Sequence, residues 1–142
     1  EVAFGEIVRG MHHWGASLVI VMMFVHTLRV FFTGSYKKPR ELNWIVGVLI
    51  FVVMLGLGFT GYLFPWDMKA LFATKVGIEI AASVPFIGEQ IKILLAGDSE
   101  ILGAQTLTRF FAIHVFFLPA ALLGLLAAHF VFIRRQGISG PL

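Results

Sequence analysis

Met11-His12-His13-Trp14-Gly15-Ala16-Ser17-Leu18-Val19-Ile20-Val21-Met22-Met23-Phe24-Val25-His26-Thr27-Leu28-Arg29-Val30-Phe31-Phe32 decides the fold. The stretch runs 22 residues, and three histidines and one arginine are its only ionisable groups. A hydrocarbon core of about 30 Å is crossed by roughly 20 residues of helix at about 1.5 Å each. Inside lipid an apolar segment must satisfy its own backbone, so this one is predicted to be helical and to span a membrane.

Two further stretches behave alike. Trp44 to Phe64 is 21 residues without a charge, and Phe110 to Ile133 is 24 residues interrupted only by His114 and His129. The whole chain has 142 residues, 58% hydrophobic and 13% charged, with mean hydropathy +0.91. A soluble domain carries about 25% charged residues, so a water-soluble globular enzyme is excluded. The net charge of +3 is too small, on so few exposed polar positions, for a nucleic-acid binder. Zero cysteines exclude a disulfide framework, a zinc ribbon, an iron–sulfur cluster and a c-type haem attachment within these residues. The fold class is therefore all-α membrane protein, with residues 1–142 forming a single domain and spans at about 11–32, 44–64 and 110–133.

The connections set the expected orientation. Thr33 to Glu41 joins the first two spans and carries Lys37, Lys38 and Arg40 against Glu41, and Arg134-Arg135 follows the third span. The positive-inside bias places these on the cytoplasmic side. The long connection from Asp67 to Thr106, with Lys69, Lys75 and Lys92 against Asp67, Glu79, Glu89, Asp98 and Glu100, then faces the opposite side. Within it Leu71–Ala82 and Ile87–Ala96 are apolar with scattered charges, split by Pro85 and Gly88. They predict two short amphipathic helices at the membrane surface, over about 68–98. The first hydrophobic run is full-length and has the wrong flanks for a cleavable signal peptide.

Ionisable residues inside a membrane are costly and mark function. His12 and His26 are fourteen residues apart. Fourteen steps of about 100° fall about 40° short of four turns and rise about 21 Å, so both project from nearly one face at opposite depths. His114 and His129 are fifteen apart, about 60° past four turns with a rise of about 22 Å in a regular α-helix. Two such helices present two imidazole levels at matching heights, which is what two bis-histidine haems require. For a single intramembrane histidine, a satisfied packing role or a chlorophyll ligand competes with this reading. His13 lies about 140° from His26 around the helix and reads as a neighbour bonded near the interface, with ligation in place of His12 as its alternative.

Gly47 and Gly61 are also fourteen apart, and Gly15 sits three after His12. A missing side chain admits a flat macrocycle or lets helices pack closely, and the match to the histidine interval favours the haem edge. Arg9, three before His12, and Arg29, three after His26, could each pair a haem propionate bidentately or snorkel to lipid phosphates. Pro65 stops the middle helix, and Tyr62 to Trp66 leave an apolar, aromatic-walled cleft at lipid depth, with an interfacial aromatic belt as the alternative.

Arg9-Gly10-Met11-His12-His13-Trp14-Gly15-Ala16-Ser17 with His26-Thr27-Leu28-Arg29 resembles the second transmembrane helix of the cytochrome b of quinol–cytochrome c and cytochrome b6f complexes. Gly61-Tyr62-Leu63-Phe64-Pro65-Trp66-Asp67 resembles that family's Gly-Tyr…Pro-Trp signature closing its third helix. Thr106-Leu107-Thr108-Arg109-Phe110-Phe111, with His114, Pro119 and His129, resembles the fourth. The fifteen-residue interval is similar to cytochrome b6, where the mitochondrial type has fourteen. The Lys37–Leu42 turn and the ending from Arg134 to Leu142 look like the short, split b6 form. Asp67-Met68-Lys69-Ala70 looks more like the menaquinol-using Gram-positive members.

The resemblance implies helices B, C and D of a four-helix haem bundle, with the family's earlier amphipathic helix and helix A lying before residue 1. It implies two haem b groups, His12 and His114 holding the outer one and His26 and His129 the inner one. Arg9, Gly15, Arg29, Gly47, Gly61, Arg109 and Arg134 stand at cofactor-binding positions. Arg134 matches a position close to a third, c-type haem whose cysteine would lie outside this sequence. The implied activity is electron transfer across the membrane between quinol oxidation and quinone reduction in a proton-translocating Q cycle, with Tyr62, Pro65 and Trp66 walling the oxidation site. The implied partners are menaquinol, a separate subunit carrying the C-terminal cytochrome b helices, a Rieske iron–sulfur protein, a c-type cytochrome subunit and a second copy of the complex. The implied location is a bacterial cell membrane in preference to a thylakoid. The competing classes are a di-haem quinone-reactive anchor of a hydrogenase or formate dehydrogenase, which lacks the Pro-Trp signature, and a pigment-binding or purely structural membrane subunit.

Overall fold

The computed structural model describes residues 2–97 and 102–139; the expectations resting on Asp98, Glu100 and the last three residues lie outside that range. Helix α1 is Gly5–Phe32, α2 Glu41–Gly61, α3 Met68–Ala82 and α4 Gly88–Ala96, and α5 is Ala104–Gln136. The described residues contain no strand. Helices α1, α2 and α5 are long and apolar enough to cross a membrane.

The helix ends differ from the predicted spans for local reasons. Helix α1 begins six residues before Met11, with Glu6 in its first turn, where a carboxylate complements the positive end of the helix dipole. Likewise α2 begins at Glu41, three residues before Trp44. It stops at Gly61 and not at Phe64, because Pro65 disfavours helical backbone at the residue before it. Tyr62 to Pro65 become a turn, Trp66 takes φ 54°, and the Asp67 carboxylate caps α3 by accepting from Ala70 N–H at 2.8 Å.

The chain divides into two units, one of Glu1–Leu55 with Ala121–Leu142 and one of Gly56–Ala120. In the first, the Lys37 turn is tied to the end of α5. Arg40 donates to the carbonyls of Gly137 (3.3 Å) and Ile138 (3.2 Å), and Ser35 Oγ donates to Ser139 Oγ at 2.9 Å. Tyr36 stacks on Phe31 at 5.7 Å and 9°. The two basic segments that charge bias assigns to one side are thus physically joined. No residue of α1 is buried.

The second unit holds the main apolar core, Leu63, Ile78, Ala96 and Phe110. The two short helices predicted to lie on the membrane surface contribute directly to it. Helix α3 buries Ala70, Thr74 and Ile78 while Met68, Phe72, Val76 and Ile80 are exposed at 59–65%. It is therefore apolar on two sides, not amphipathic. The carbonyls at the end of α4 are capped from α5: Thr106 Oγ1 donates to Ala96 O at 2.9 Å, and Arg109 Nη1 donates to Ile93 O and, at 2.9 Å, to Leu94 O. Carbonyls that a helix end leaves without partners find them there.

Helix α5 is not uniform. Ile113–Phe117 is a π-turn, closed by Leu118 N–H donating to Ile113 O. Pro119 follows immediately. A proline ring clashes with the carbonyl four residues back and offers no N–H, and a widened turn relieves both problems. A π-turn also takes up one more residue than an α-turn. The fifteen-residue interval from His114 to His129 therefore carries about the phase of fourteen regular residues, about 40° short of four turns, the same as the His12–His26 interval. This corrects the value of about 60° past four turns obtained for an unbroken helix.

Candidate haem-binding site

In the first unit, His26 from α1 and His129 from α5 line one cavity of about 680 Å³. Arg29, Arg40, Asn43, Trp44 and Gly47 line it too. The volume falls in the range of about 300–1,000 Å³ typical of small-molecule and cofactor sites. Gly47 stands opposite His129, and a Cβ built there would lie 3.6 Å from the ring's Cε1, an ordinary contact. The Nδ1 of His129 is buried and makes no well-formed hydrogen bond among the described residues. Two imidazoles, a residue without a side chain and two guanidinium groups, with apolar side chains such as Val19, Ile50, Leu122 and Leu126 among the other lining residues, suit a flat iron macrocycle with acidic arms. The donor set fits haem b.

In the second unit, His114 sits inside the π-turn, and its ring lies flush against Gly61. A Cβ at Gly61 would come within 2.7 Å of His114 Cε1 and 3.3 Å of both ring nitrogens. Phe64 meets the ring edge-on, with centroids 5.2 Å apart and planes at 75°. Thr60 Oγ1 lies 3.0 Å from His114 Nδ1. Sequence reasoning overlooked Thr60 and Phe64. The signal for Thr60 was a hydroxyl in an uncharged apolar span, because a buried polar group needs a partner.

His12, Arg9 and Gly15 lie on α1. A Cβ at Gly15 would meet nothing within 4 Å among the described residues. His13 packs edge-on against Trp14 at 5.7 Å. Arg109 caps α4, and Arg134 is exposed, outside the residues lining the His26–His129 cavity. Tyr62 and Trp66 are 52% and 40% exposed, while Leu63 is fully buried and Phe64 packs against the core, so the turn is anchored by Leu63 and Phe64 and presents Tyr62 and Trp66 outward.

Three helices long and apolar enough to cross a membrane, two of them carrying histidines, and a cavity of haem size define a membrane protein of the b-type haem-binding class. Residues 17–142 match the family described as Cytochrome b(N-terminal)/b6/petB. The chain is 84% identical, over all its 142 residues, to a menaquinol:cytochrome c reductase cytochrome b subunit from Geobacillus thermodenitrificans, and covers 63% of it. It is 48% identical to a cytochrome b6 from Heliobacterium modesticaldum, again over its whole length and 66% of the relative. Among solved structures, one described as a hyperthermophilic respiratory Complex III superposes with TM-score 0.87 at 31% identity, covering 99% of this chain and 38% of that one. The chain belongs to the cytochrome b N-terminal/b6 family. It spans 63% of the length of the two menaquinol:cytochrome c reductase relatives.

Proposed function

We propose that this chain is the haem-binding part of the cytochrome b subunit of a menaquinol–cytochrome c reductase. The observation that carries the reading is the cavity of about 680 Å³ shared by His26 and His129. Two haem b groups would supply one-electron carriers across the membrane, the inner held by His26 and His129 and the outer by His12 and His114. The protein's share is to hold and orient. Imidazole nitrogen would provide a strong donor to the iron, the helices fix each ring, and the apolar part of the wall would limit access of water. Arg29, on the turn after His26, offers a guanidinium to a propionate. Gly61 leaves space against His114 that a Cβ would fill, Gly47 would leave room for the group beside His129, and Gly15 and Arg9 would serve beside His12. Arg109 has a structural task at the end of α4.

Quinol oxidation would take place beside the turn Tyr62–Trp66, where exposed aromatic side chains leave a wall facing lipid depth. A separate subunit with the C-terminal cytochrome b helices, a Rieske protein and a c-type cytochrome would complete the complex, which would work as a dimer in a bacterial cell membrane. The names of the relatives from Geobacillus thermodenitrificans and Bacillus subtilis support menaquinol as the donor. A third, c-type haem near Arg134 would need a cysteine from outside these residues. The test is a haem count on the purified complex by pyridine haemochrome spectra. Two b-type haems per copy of the chain support the reading, and one or none overturns it.

A further inference from the structure

Thr60 lies one residue before Gly61 and is 4% exposed. Its Oγ1 is 2.8 Å from Gly56 O, 3.3 Å from Leu57 O and 3.0 Å from His114 Nδ1. A hydroxyl has a single proton, and a carbonyl oxygen can only accept one. With the closest oxygen being that of Gly56, the threonine donates to its own helix and turns a lone pair toward the imidazole. His114 Nδ1 must then be the donor. In a neutral ring this fixes the proton on Nδ1 and leaves the lone pair on Nε2. Gly61 and Phe64 hold the same ring on its other sides, so neither tautomer nor rotation is left to chance.

On the haem-ligand reading of His114, we infer that Thr60 is a positioning residue. It makes Nε2 the ligating atom, and through the Nδ1–H···Oγ1 hydrogen bond it strengthens the imidazole as a donor. A ligand made more basic by its outer partner favours the ferric iron, so Thr60 lowers the midpoint potential of the haem that His114 holds. The residue before Gly47 is Val46, which has no hydroxyl, so a threonine contact of this kind is not repeated at that position.

The experiment is a potentiometric titration of the b haems in the assembled complex, with the low-temperature electron paramagnetic resonance spectrum of the oxidised haems as a second readout. Thr60→Val is to be compared with Thr60→Ser, and His114→Leu identifies which component is affected. The expected result is that Thr60→Val keeps both haems and moves the component missing from His114→Leu to a more positive potential. Its resonance should shift, the other component should stay unchanged, and Thr60→Ser should titrate as wild type. If His114→Leu lacks one haem while Thr60→Val shows no shift, the role of Thr60 is overturned and the ligand reading stands. If His114→Leu retains both haems, the ligand reading fails and takes the Thr60 inference with it. Should Thr60→Val assemble without that haem, Thr60→Ser against Thr60→Ala decides. Retention by serine alone supports the hydrogen bond, and equal behaviour of the two overturns it.

Discussion

Gly61→Ala and Gly47→Ala add the same methyl group at two positions that sequence spacing makes equivalent, yet the structure separates them. At Gly61 the new Cβ would sit 2.7 Å from His114 Cε1, and at Gly47 it would sit 3.6 Å from His129 Cε1. Carbon atoms rest at about 3.5–4.0 Å, so the His114 ring must withdraw by about 1 Å while the His129 ring need not move. Forcing a methyl into a filled site costs about 1–3 kcal/mol. Withdrawal also lengthens the 3.0 Å contact to Thr60 beyond hydrogen-bonding range, at about 0.5–1.5 kcal/mol. Together these give about 2–4 kcal/mol, roughly two orders of magnitude in affinity for the haem held by His114. The assay is a reduced-minus-oxidised spectrum with stepwise reduction in membranes carrying each variant. Gly61→Ala should lose or strongly shift one b-type component, and Gly47→Ala should keep both. Wild-type spectra for Gly61→Ala, or equal loss in Gly47→Ala, would refute the argument.

Deleting Phe116 removes one residue from the π-turn, allowing an α-turn and leaving fourteen residues between the two histidines; both haems should remain. Deleting Leu123, in the regular part of α5, keeps the π-turn and leaves the phase of about thirteen residues, about 140° short of four turns, so one haem should be lost by the same spectral count. Arg109→Ala uncaps the last carbonyls of α4 and should destabilise the second unit by about 1–3 kcal/mol. That should be visible as earlier thermal loss of the His114 haem while the His26–His129 haem persists. Bulky or polar changes at Tyr62 or Pro65 should slow quinol oxidation in the assembled complex with both haems spectrally normal. Normal turnover would reduce these residues to helix anchors.

Period and length made the three long helices legible, because an apolar run of about 20 residues leaves few alternatives in lipid. His26, Arg29, Gly47 and His129 were legible as a group for the same reason, since regular spacing along helices fixes angle and depth. Three features were not. The π-turn depends on how the backbone accommodates Pro119, which spacing alone does not encode; an interval one residue longer than that of His12 and His26 was its only trace. The burial of α3 and α4 against Leu63 and Phe110 escaped because scattered charges such as Lys69, Lys75 and Glu79 read as a surface face, whereas the small residues Ala70 and Thr74 make the packing side. Arg109 stood at a cofactor-binding position by resemblance, yet its guanidinium finds the Leu94 carbonyl, a partner set by tertiary approach and not by neighbours in sequence.

The most direct test of the central claim is a redox titration of the assembled complex carrying His129→Leu and, separately, His114→Leu. Each replacement removes an imidazole, the strong iron donor proposed for its site. The account predicts two b-type components in the wild type, one lost in His129→Leu, and the other lost in His114→Leu. Loss of the same component in both variants, or retention of both components in either, would contradict it.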